Sequence, residues 1–431
     1  MKNTNRRRFI KTGAGAAAGI IAVPYWLSSC KNAPSRQVTL GMIGVGNHGV
    51  SWNMKAFLEM PDVKILAVCD VDAERKEEAK RIVDEKYQNK DCAMYHDFRD
   101  VLTRNDIDAV MISTPDHWHV PISILAAQAG KDVICEKPTL TIAEGRALVN
   151  VIKKHNTVFQ TSIEDRAIPV YHRMAELVRN GYIGQLQDII IKIPDKDILK
   201  MNPASTATQP VPASFDYDMW LGPAPFAPYS PGRCHWNFRW ISDYSGGMLT
   251  DWGAHYVDTA QWANNSDHSG PVSVEGKGVF LTGDIYDTAN TIDLKYQYAN
   301  GVSMQLLSGG NSIGFKGSEG WIQCLGWRGD LEASHPSILQ TNIKSSDQHL
   351  YTAESEHRNF IDCVKSRKET FVPVEVGHRT ASALHMGNIA MKLERKLEWD
   401  AQGEVFVNDD EANAMRIRAS RDPWKLENLM V

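Results

Sequence analysis

Asp251 and His255, four residues apart in Asp251-Trp252-Gly253-Ala254-His255, carry side chains that can move a proton. A helix is expected from about Met248, after the turn Gly246-Gly247, and residues at i and i+4 share one of its faces. Taking a hydride from a C–H carbon requires that the hydroxyl proton leave in concert, and a histidine titrating near neutrality suits that task. Two plainer readings stand beside this one. Asp251 could cap the helix while His255 is a satisfied core histidine, or the pair could ligate a metal, although no third ligand is evident. Around the pair lie His235, Trp236, Arg239, Trp240, Tyr244 and Trp252. Aromatic faces beside polar groups suit a carbohydrate, while each Trp taken singly is equally well explained as core.

A second constellation lies near the start of the chain. Gly44-Val45-Gly46-Asn47-His48-Gly49 fits G-x-G-x-x-G between an apolar run at 38–45 and a helical stretch containing Trp52, Phe57 and Leu58. In such a turn the first glycine permits the bend and the second lets backbone approach a pyrophosphate. The third packs the helix on the strand, with its N–H groups toward the anion. A second apolar run, 63–69, ends at Asp70, 21 residues after Gly49. That carboxylate is placed to bond ribose hydroxyls and favours NAD over NADP, because it repels a 2′-phosphate. Arg75 reads as a solvated charge on a helix face rather than a phosphate ligand.

The elements that position these residues follow from periodicity. Strands at 108–113, 131–135 and 157–160 alternate with helices at 121–129 and 142–155. Such alternation means a parallel sheet, with ligands beyond the carboxyl ends of its strands. Thr114, Pro115 and His117 after one strand, and Glu136, Lys137 and Pro138 after the next, should line the nicotinamide side of the crevice. His117-Trp118-His119 could suggest metal ligation, but no partner stands at ligand spacing, so His117 is read as a cofactor contact and His119 as a cap or packing residue. Arg166, just past the last strand, is a candidate for cofactor or substrate contact. Beyond it, strand-like runs at 183–193, 272–281, 291–298, 302–308 and 321–327 lack alternating helices. The fold class is therefore α/β: a Rossmann dinucleotide-binding domain over 36–160, then an α/β domain over 161–395 with a large open, mostly antiparallel sheet. A tail, 396–431, is expected to pack on the body, and the Pro/Ala/Ser-rich stretch 201–231 to form a long surface loop.

Together, GVGNHG, Asp70, Ser113-Thr114-Pro115-Asp116-His117-Trp118-His119, Cys135-Glu136-Lys137-Pro138 and D-x-G-x-H at 251–255 resemble the Gfo/Idh/MocA oxidoreductases. The stretches at 357–363, 375–379, 387–390 and 409–413 resemble the ending of an exported bacterial subgroup, so the likeness covers nearly everything from Val38 onward. It implies an NAD(P)-dependent oxidoreductase acting on a secondary hydroxyl of a sugar or glycoside. It further implies Lys137 as polariser of the reacting oxygen, Asp251 as positioner of substrate and base, and His255 as acid/base. These motifs are specific for fold and general chemistry and poor for substrate; no metal is expected.

Bulk properties narrow the partners. A formal net charge of −5 without a dense Lys/Arg stripe argues against a nucleic-acid binder. Asn5-Arg6-Arg7-Arg8-Phe9-Ile10-Lys11 resembles a twin-arginine signal, followed by an apolar run at 13–23 and by Leu27-Ser28-Ser29-Cys30, which looks like a lipobox. A cleaved export signal over 1–30, with Cys30 acylated, is expected; the alternative is an uncleaved anchor. The protein is thus read as a periplasmic, membrane-anchored lipoprotein that meets the membrane only through that lipid, and as a homo-oligomer. The six other cysteines include no CxxC pair, and no disulfide framework is expected. Outside the cytoplasm a nicotinamide cofactor would have no large pool to exchange with, so it should stay tightly bound and be restored in each turnover. Three functions remain open: a sugar dehydrogenase, with a 3-keto-glycoside as one product; a glycosidase of this fold that oxidises C3 transiently and eliminates the aglycone; and a sugar-binding protein without catalysis.

Overall fold

The computed structural model describes residues 37–195, 203–282 and 284–430. The expected export signal and Cys30 lie outside the described residues. Among the described residues no helix is long and apolar enough to cross a membrane.

The first layer is a six-stranded sheet of β1 (Val38–Ile43), β2 (Val63–Cys69), β3 (Ala93–Tyr95), β4 (Ala109–Ile112), β5 (Asp132–Glu136) and β6 (Phe159–Ser162). Its order is β3-β2-β1-β4-β5-β6, parallel throughout. Every residue of β4 is buried, as expected of a strand covered on both faces. The helix after the glycine turn (49–58), α1 (Ala73–Tyr87), a short helix at Phe98–Thr103, α2 (Asp116–Gln128) and α3 (Ile142–His155) make the crossovers. Asp72 and Thr141 cap α1 and α3 by accepting backbone N–H groups of the first turn. Helix α2 starts five residues before the expected position. Pro121 lies inside it rather than opening it, at the cost of one backbone bond near the helix start.

After α4 (Pro169–Arg179) and β7 (Leu186–Ile193), the chain forms a short helix, α5 (Tyr217–Leu221), and then α6 (Met248–Ala263). The remaining strands are β8 (Pro271–Phe280), β9 (Ala289–Tyr298), β10 (Ser303–Ser308), β11 (Ser312–Gly317), β12 (Trp321–Leu325), β13 (Leu331–Ala333), β14 (Leu397–Asp400) and β15 (Val405–Phe406). They join β7 in a nine-stranded sheet, β13-β12-β11-β7-β10-β9-β8-β14-β15, antiparallel except for β7 with β10. Strand β7 alternates, with Ile189, Ile191 and Ile193 in the core and Ile190 and Lys192 exposed. The sheet's buried face packs on α6 and on α8 (Val374–Leu393).

Two features differ from expectation. The stretch 201–231 is an exposed loop only in its first described part, 203–213; beyond it Phe215, Tyr217, Trp220, Leu221 and Tyr229 are buried in the second core. Its many small residues concealed an aromatic set that must leave water. The first domain is also not closed at residue 160. Helix α7 (Glu356–Ser366) returns to it, placing Phe360 and Ile361 beside Leu40, Met42 and Val68, and α9 (Leu426–Leu429) puts Leu429 in the core that holds α2.

Arg166 ties these layers together. Its Nε and Nη2 donate to the two oxygens of Asp258 on α6 at 2.7 and 2.9 Å, and Nη1 donates to Asp267 at 3.1 Å. The guanidinium is buried over the Trp262 ring. The expected ligand contact for Arg166 is therefore corrected: its charge is consumed in holding the start of α4 to the flank of α6. Removing one member of a buried ionic cluster strands the others, at about 3–5 kcal/mol. Arg166→Met should lower stability by roughly that amount, read from the midpoint of urea unfolding; a change within experimental error would contradict this role.

Candidate active site

A cavity of about 730 Å³ runs between the carboxyl ends of the first sheet and the start of α6. At one end is the glycine turn. Gly44 has φ +81°, and a Cβ there would lie 2.7 Å from the backbone of Ser113 and Thr114. A Cβ on Gly46 would lie 2.6 Å from the Arg75 guanidinium, so the turn leaves bare backbone facing the cavity. Asp70 accepts the N–H groups of Val45 at 2.9 Å and Asp72 at 3.0 Å, fixing its carboxylate beside the turn. Burial raises the Asp70 pKa, against these two N–H bonds. This cradle fits a dinucleotide: Gly44, Gly46, Asn47, His48 and Gly49 would take the diphosphate, and Asp70 a ribose. Arg75 is not the freely solvated charge expected; it lines the cavity against Gly46 and pairs with Asp72 at 3.4 Å, because its helix starts directly beneath the turn.

At the other end, β5 delivers Glu136 and Lys137. Lys137 Nζ donates to both the backbone carbonyl and Oδ1 of Asp251, at 2.7 and 2.8 Å. Burial opposes the charge on each, yet the attraction wins: Lys137 is raised, and Asp251, also 3.5 Å from Arg239, is held well below the usual carboxylate range. Arg239 lies over the rings of Trp236 and Phe238, 4.7 Å from each centroid. One turn along α6, His255 packs edge-on against Trp327 and places Nδ1 2.6 Å from Asp165 Oδ2. Burial would lower its pKa, but Asp165 outweighs it and the net shift is upward. With Nδ1 engaged, Nε2 is the ring atom left for a ligand in the cavity.

A carboxylate layer backs this machinery. Glu136 accepts Asn53 Nδ2 at 2.8 Å and sits 3.1 Å from His48, and these partners overcome burial to hold it near 2. Glu356, on the returning α7, accepts Trp52 Nε1 and Ser162 Oγ, and burial pushes it up to about 7. Glu164 is also pushed by burial to about 7, although His255 draws it down and Arg328 pairs with it at 2.7 Å. Donor atoms of Glu164, Asp165 and His255 lie within 4.8 Å of one another, a spacing a metal could use. The Asp165–His255 and Arg328–Glu164 contacts account for the same atoms as an ion-paired proton site.

The structure brings Gly44, Gly46, Asn47, His48, Gly49, Asp70, Thr114, Pro115, Glu136, Lys137, His235, Trp236, Arg239, Asp251 and His255 to this one cavity. It does not bring five others. His117 points back into the protein, its Nε2 2.9 Å from the Trp220 carbonyl, and burial drives its pKa to about 4. Tyr244 is buried edge-on to Trp220, and Trp240 is core. Pro138 turns its carbonyl to His119 Nδ1, and Arg166 belongs to the ionic cluster on α6. The expectation that these residues touch ligand is corrected in each case by burial of the side chain away from the cavity. Sequence reasoning missed Glu164 and Asp165, although the rule that singled out the carboxyl ends of strands applied equally to β6.

Two family descriptions match the chain: the oxidoreductase family NAD-binding Rossmann fold over residues 38–163, and the oxidoreductase family C-terminal alpha/beta domain over 194–426, both of the Gfo/Idh/MocA group. A glycosyl hydrolase family 109 protein of Shewanella pealeana is 32% identical over 209 residues, 42% of this chain and 44% of that protein, so the match spans less than half the relative's length. Among solved structures, aldose-aldose oxidoreductase from Caulobacter crescentus, complexed with glycerol, matches with a TM-score of 0.62. It is 18% identical and covers 84% of this chain and all of its own. The WlbA dehydrogenase from Bordetella pertussis, in complex with NADH and UDP-GlcNAcA, gives a TM-score of 0.62 at 15% identity, covering 85% of this chain and 99% of that one. At these identities the structural likeness shows the fold.

Asp165 bonds His255, so if His255 is the base, removing Asp165 has a distinct signature. A base works deprotonated, so kcat/KM rises as pH rises through its pKa. Because Asp165 raises the His255 pKa, Asp165→Asn should move that limb to lower pH and reduce the plateau by about 100-fold or more. A lowered plateau with an unmoved limb would reduce Asp165 to a packing residue.

Proposed function

Because the chain belongs to the Gfo/Idh/MocA oxidoreductase family, we propose that it moves a hydride between a tightly bound NAD and a secondary hydroxyl of a sugar or glycoside. The observation that carries this reading is the Lys137–Asp251–His255 group at one end of a cavity whose other end is the glycine turn and Asp70. Bound nicotinamide supplies the two-electron acceptor and donor; the chain's own residues do the rest. His255 Nε2 takes the hydroxyl proton as the carbinol C–H is broken, and Asp165 stabilises the resulting imidazolium. The Lys137 ammonium stabilises negative charge on the reacting oxygen, with Asp251 keeping it charged and aimed. Trp236, Trp252 and Arg239 line the same end, and their faces suit the C–H surface of a pyranose. The carboxylate of Asp70 favours NAD over the phosphorylated dinucleotide.

We place the protein outside the cytoplasm on the strength of Arg6, Arg7 and the Leu27–Cys30 motif. There the cofactor is restored within each cycle: one sugar hydroxyl becomes a ketone, the hydride is returned to a second carbonyl substrate, and His255 returns the proton. A second reading, a glycosidase acting through transient C3 oxidation and elimination, is favoured by the family 109 relative and by Glu164. That carboxyl lines the cavity with a pKa near 7, where it can protonate a departing glycosidic oxygen.

Purified protein with bound nucleotide, given a panel of glycosides, distinguishes these readings. Reduction that persists until a keto-sugar is added supports the two-substrate oxidoreductase, whereas steady sugar release without net reduction supports the glycosidase. Lys137→Ala and His255→Ala should each lower turnover by about 100-fold or more while nucleotide stays bound; near-normal turnover in both would end the mechanism.

A further inference from the structure

We propose that the segment from Ser214 to Gly222, contributed by the second domain, is a clasp over the adenosine end of the dinucleotide site. In this role it retains the nucleotide between turnovers, and its Phe215 and Met219 wall the adenosine slot. The inference rests on the dinucleotide reading of the cavity given above.

The segment crosses the first domain immediately after Asp70. Asp216 N–H donates to the Val71 carbonyl at 3.0 Å and Ala73 N–H donates to the Ser214 carbonyl at 2.9 Å, making an antiparallel bridge between Asp72 and Phe215. Asp216 also meets His96 Nε2 at 2.8 Å. A strand-like strap from one domain is therefore stitched to the other beside the carboxylate that would hold the ribose. Phe215 and Met219 face the cavity across from Asp70 and Arg75, and His235 stands beside Phe215 with ring centroids 5.5 Å apart. An aromatic ring, a thioether and an imidazole line this part of the cavity, a largely apolar set of the kind on which a purine can pack.

The far end of the strap is riveted. The Trp220 carbonyl accepts Trp118 Nε1 at 3.0 Å and His117 Nε2 at 2.9 Å, two buried bonds from α2. Gly222 has φ +48°, and a Cβ there would overlap the Trp118 ring, so the chain can pass this close only as glycine. From outside, Arg421 donates to the Gly222 carbonyl at 2.9 Å and to Asp218 Oδ1 at 2.8 Å. Arg421 is itself set by Trp424, which packs on Trp118 and Phe98. The bridge from Phe215 to Asp72 lies beside the ribose carboxylate, and the Trp220, Gly222 and Arg421 contacts brace the strap behind it against α2, so Phe215 and Met219 are held in place from both ends. Release of the adenosine half then requires the bonds of residues 214–222 to open first.

The test is the dissociation rate of NADH from the whole protein, followed by loss of nicotinamide fluorescence on chasing with excess NAD. It is made on the native protein, on Phe215→Ala and on Arg421→Ala, which lies outside the cavity. Each variant should release NADH at least tenfold faster than the native protein, while association rates change less. Asp216→Asn, which keeps the backbone bridge, provides a milder third case expected to fall between the native protein and these two. NADH bound by all of them with rates within twofold of native overturns the clasp and leaves the oxidoreductase reading intact. A native protein that binds no dinucleotide overturns both.

Discussion

An ammonium group buried between two domains must be neutralised where it stands, and Lys137 is neutralised by the other domain. Its Nζ holds the backbone carbonyl and the carboxylate of Asp251 at once, so β5 and the first turn of α6 are fixed to each other at two points. Desolvating either ion alone would cost several kcal/mol, so the pair resists separation even though it adds little net stability. The same constraint explains what surrounds α6. Arg166 anchors its middle through Asp258, and the Gly246 carbonyl just before it accepts Asn388 from α8. A helix placed this firmly can present His255 to the cavity within the tolerance that proton transfer requires.

The charges around that pair alternate. Arg239, Asp251, Lys137, Glu136 and His48 form a sequence of opposite signs across the floor of the cavity. Arg328 with Glu164 and Asp165 with His255 form a second set on its flank. Alternation lets one pocket hold a carboxylate kept ionised, a carboxyl near neutrality and a histidine raised above its ordinary value. Groups whose environments push their pKa values apart are those that can divide acid and base duties. With Nδ1 of His255 held by Asp165, a ligand entering the cavity meets that ring at Nε2.

Much of this was readable in the chain because the relevant signals are local. The first sheet's strands are short apolar runs, and their carboxyl ends pointed to Glu136 and Lys137. The i, i+4 spacing placed Asp251 and His255 on one face. What failed is non-local or directional. After β6 three charged residues follow in a tight helical turn, and nothing in their order says that Glu164 lines the cavity, Asp165 backs His255 and Arg166 turns to Asp258. Glu356 and His357 back the glycine helix from some three hundred residues away, through Trp52 and Asn53, beyond the reach of any spacing rule. Strands β3, β13, β14 and β15 escaped notice because each is too short for a periodicity to show, and β11 because glycines and a lysine surround its two buried apolar residues, Ile313 and Phe315. Aromatics diluted by proline and alanine disguised the buried segment around Phe215.

The two domains therefore cannot be treated as a cofactor half and a substrate half. The glycine helix rests on Glu356 and His357 of α7, the adenosine end faces Phe215, and the tail reaches back through Trp424 to Trp118. A dinucleotide seated there would meet backbone of the first domain on one side and side chains of the second on the other. Letting it go would require the domains to part, and the Lys137–Asp251 pair opposes that parting at the opposite end of the same cleft. The contacts beside the glycine turn and those that align Lys137 with Asp251 are made by the same two domains, so a change in their mutual placement would alter both ends of the cleft at once.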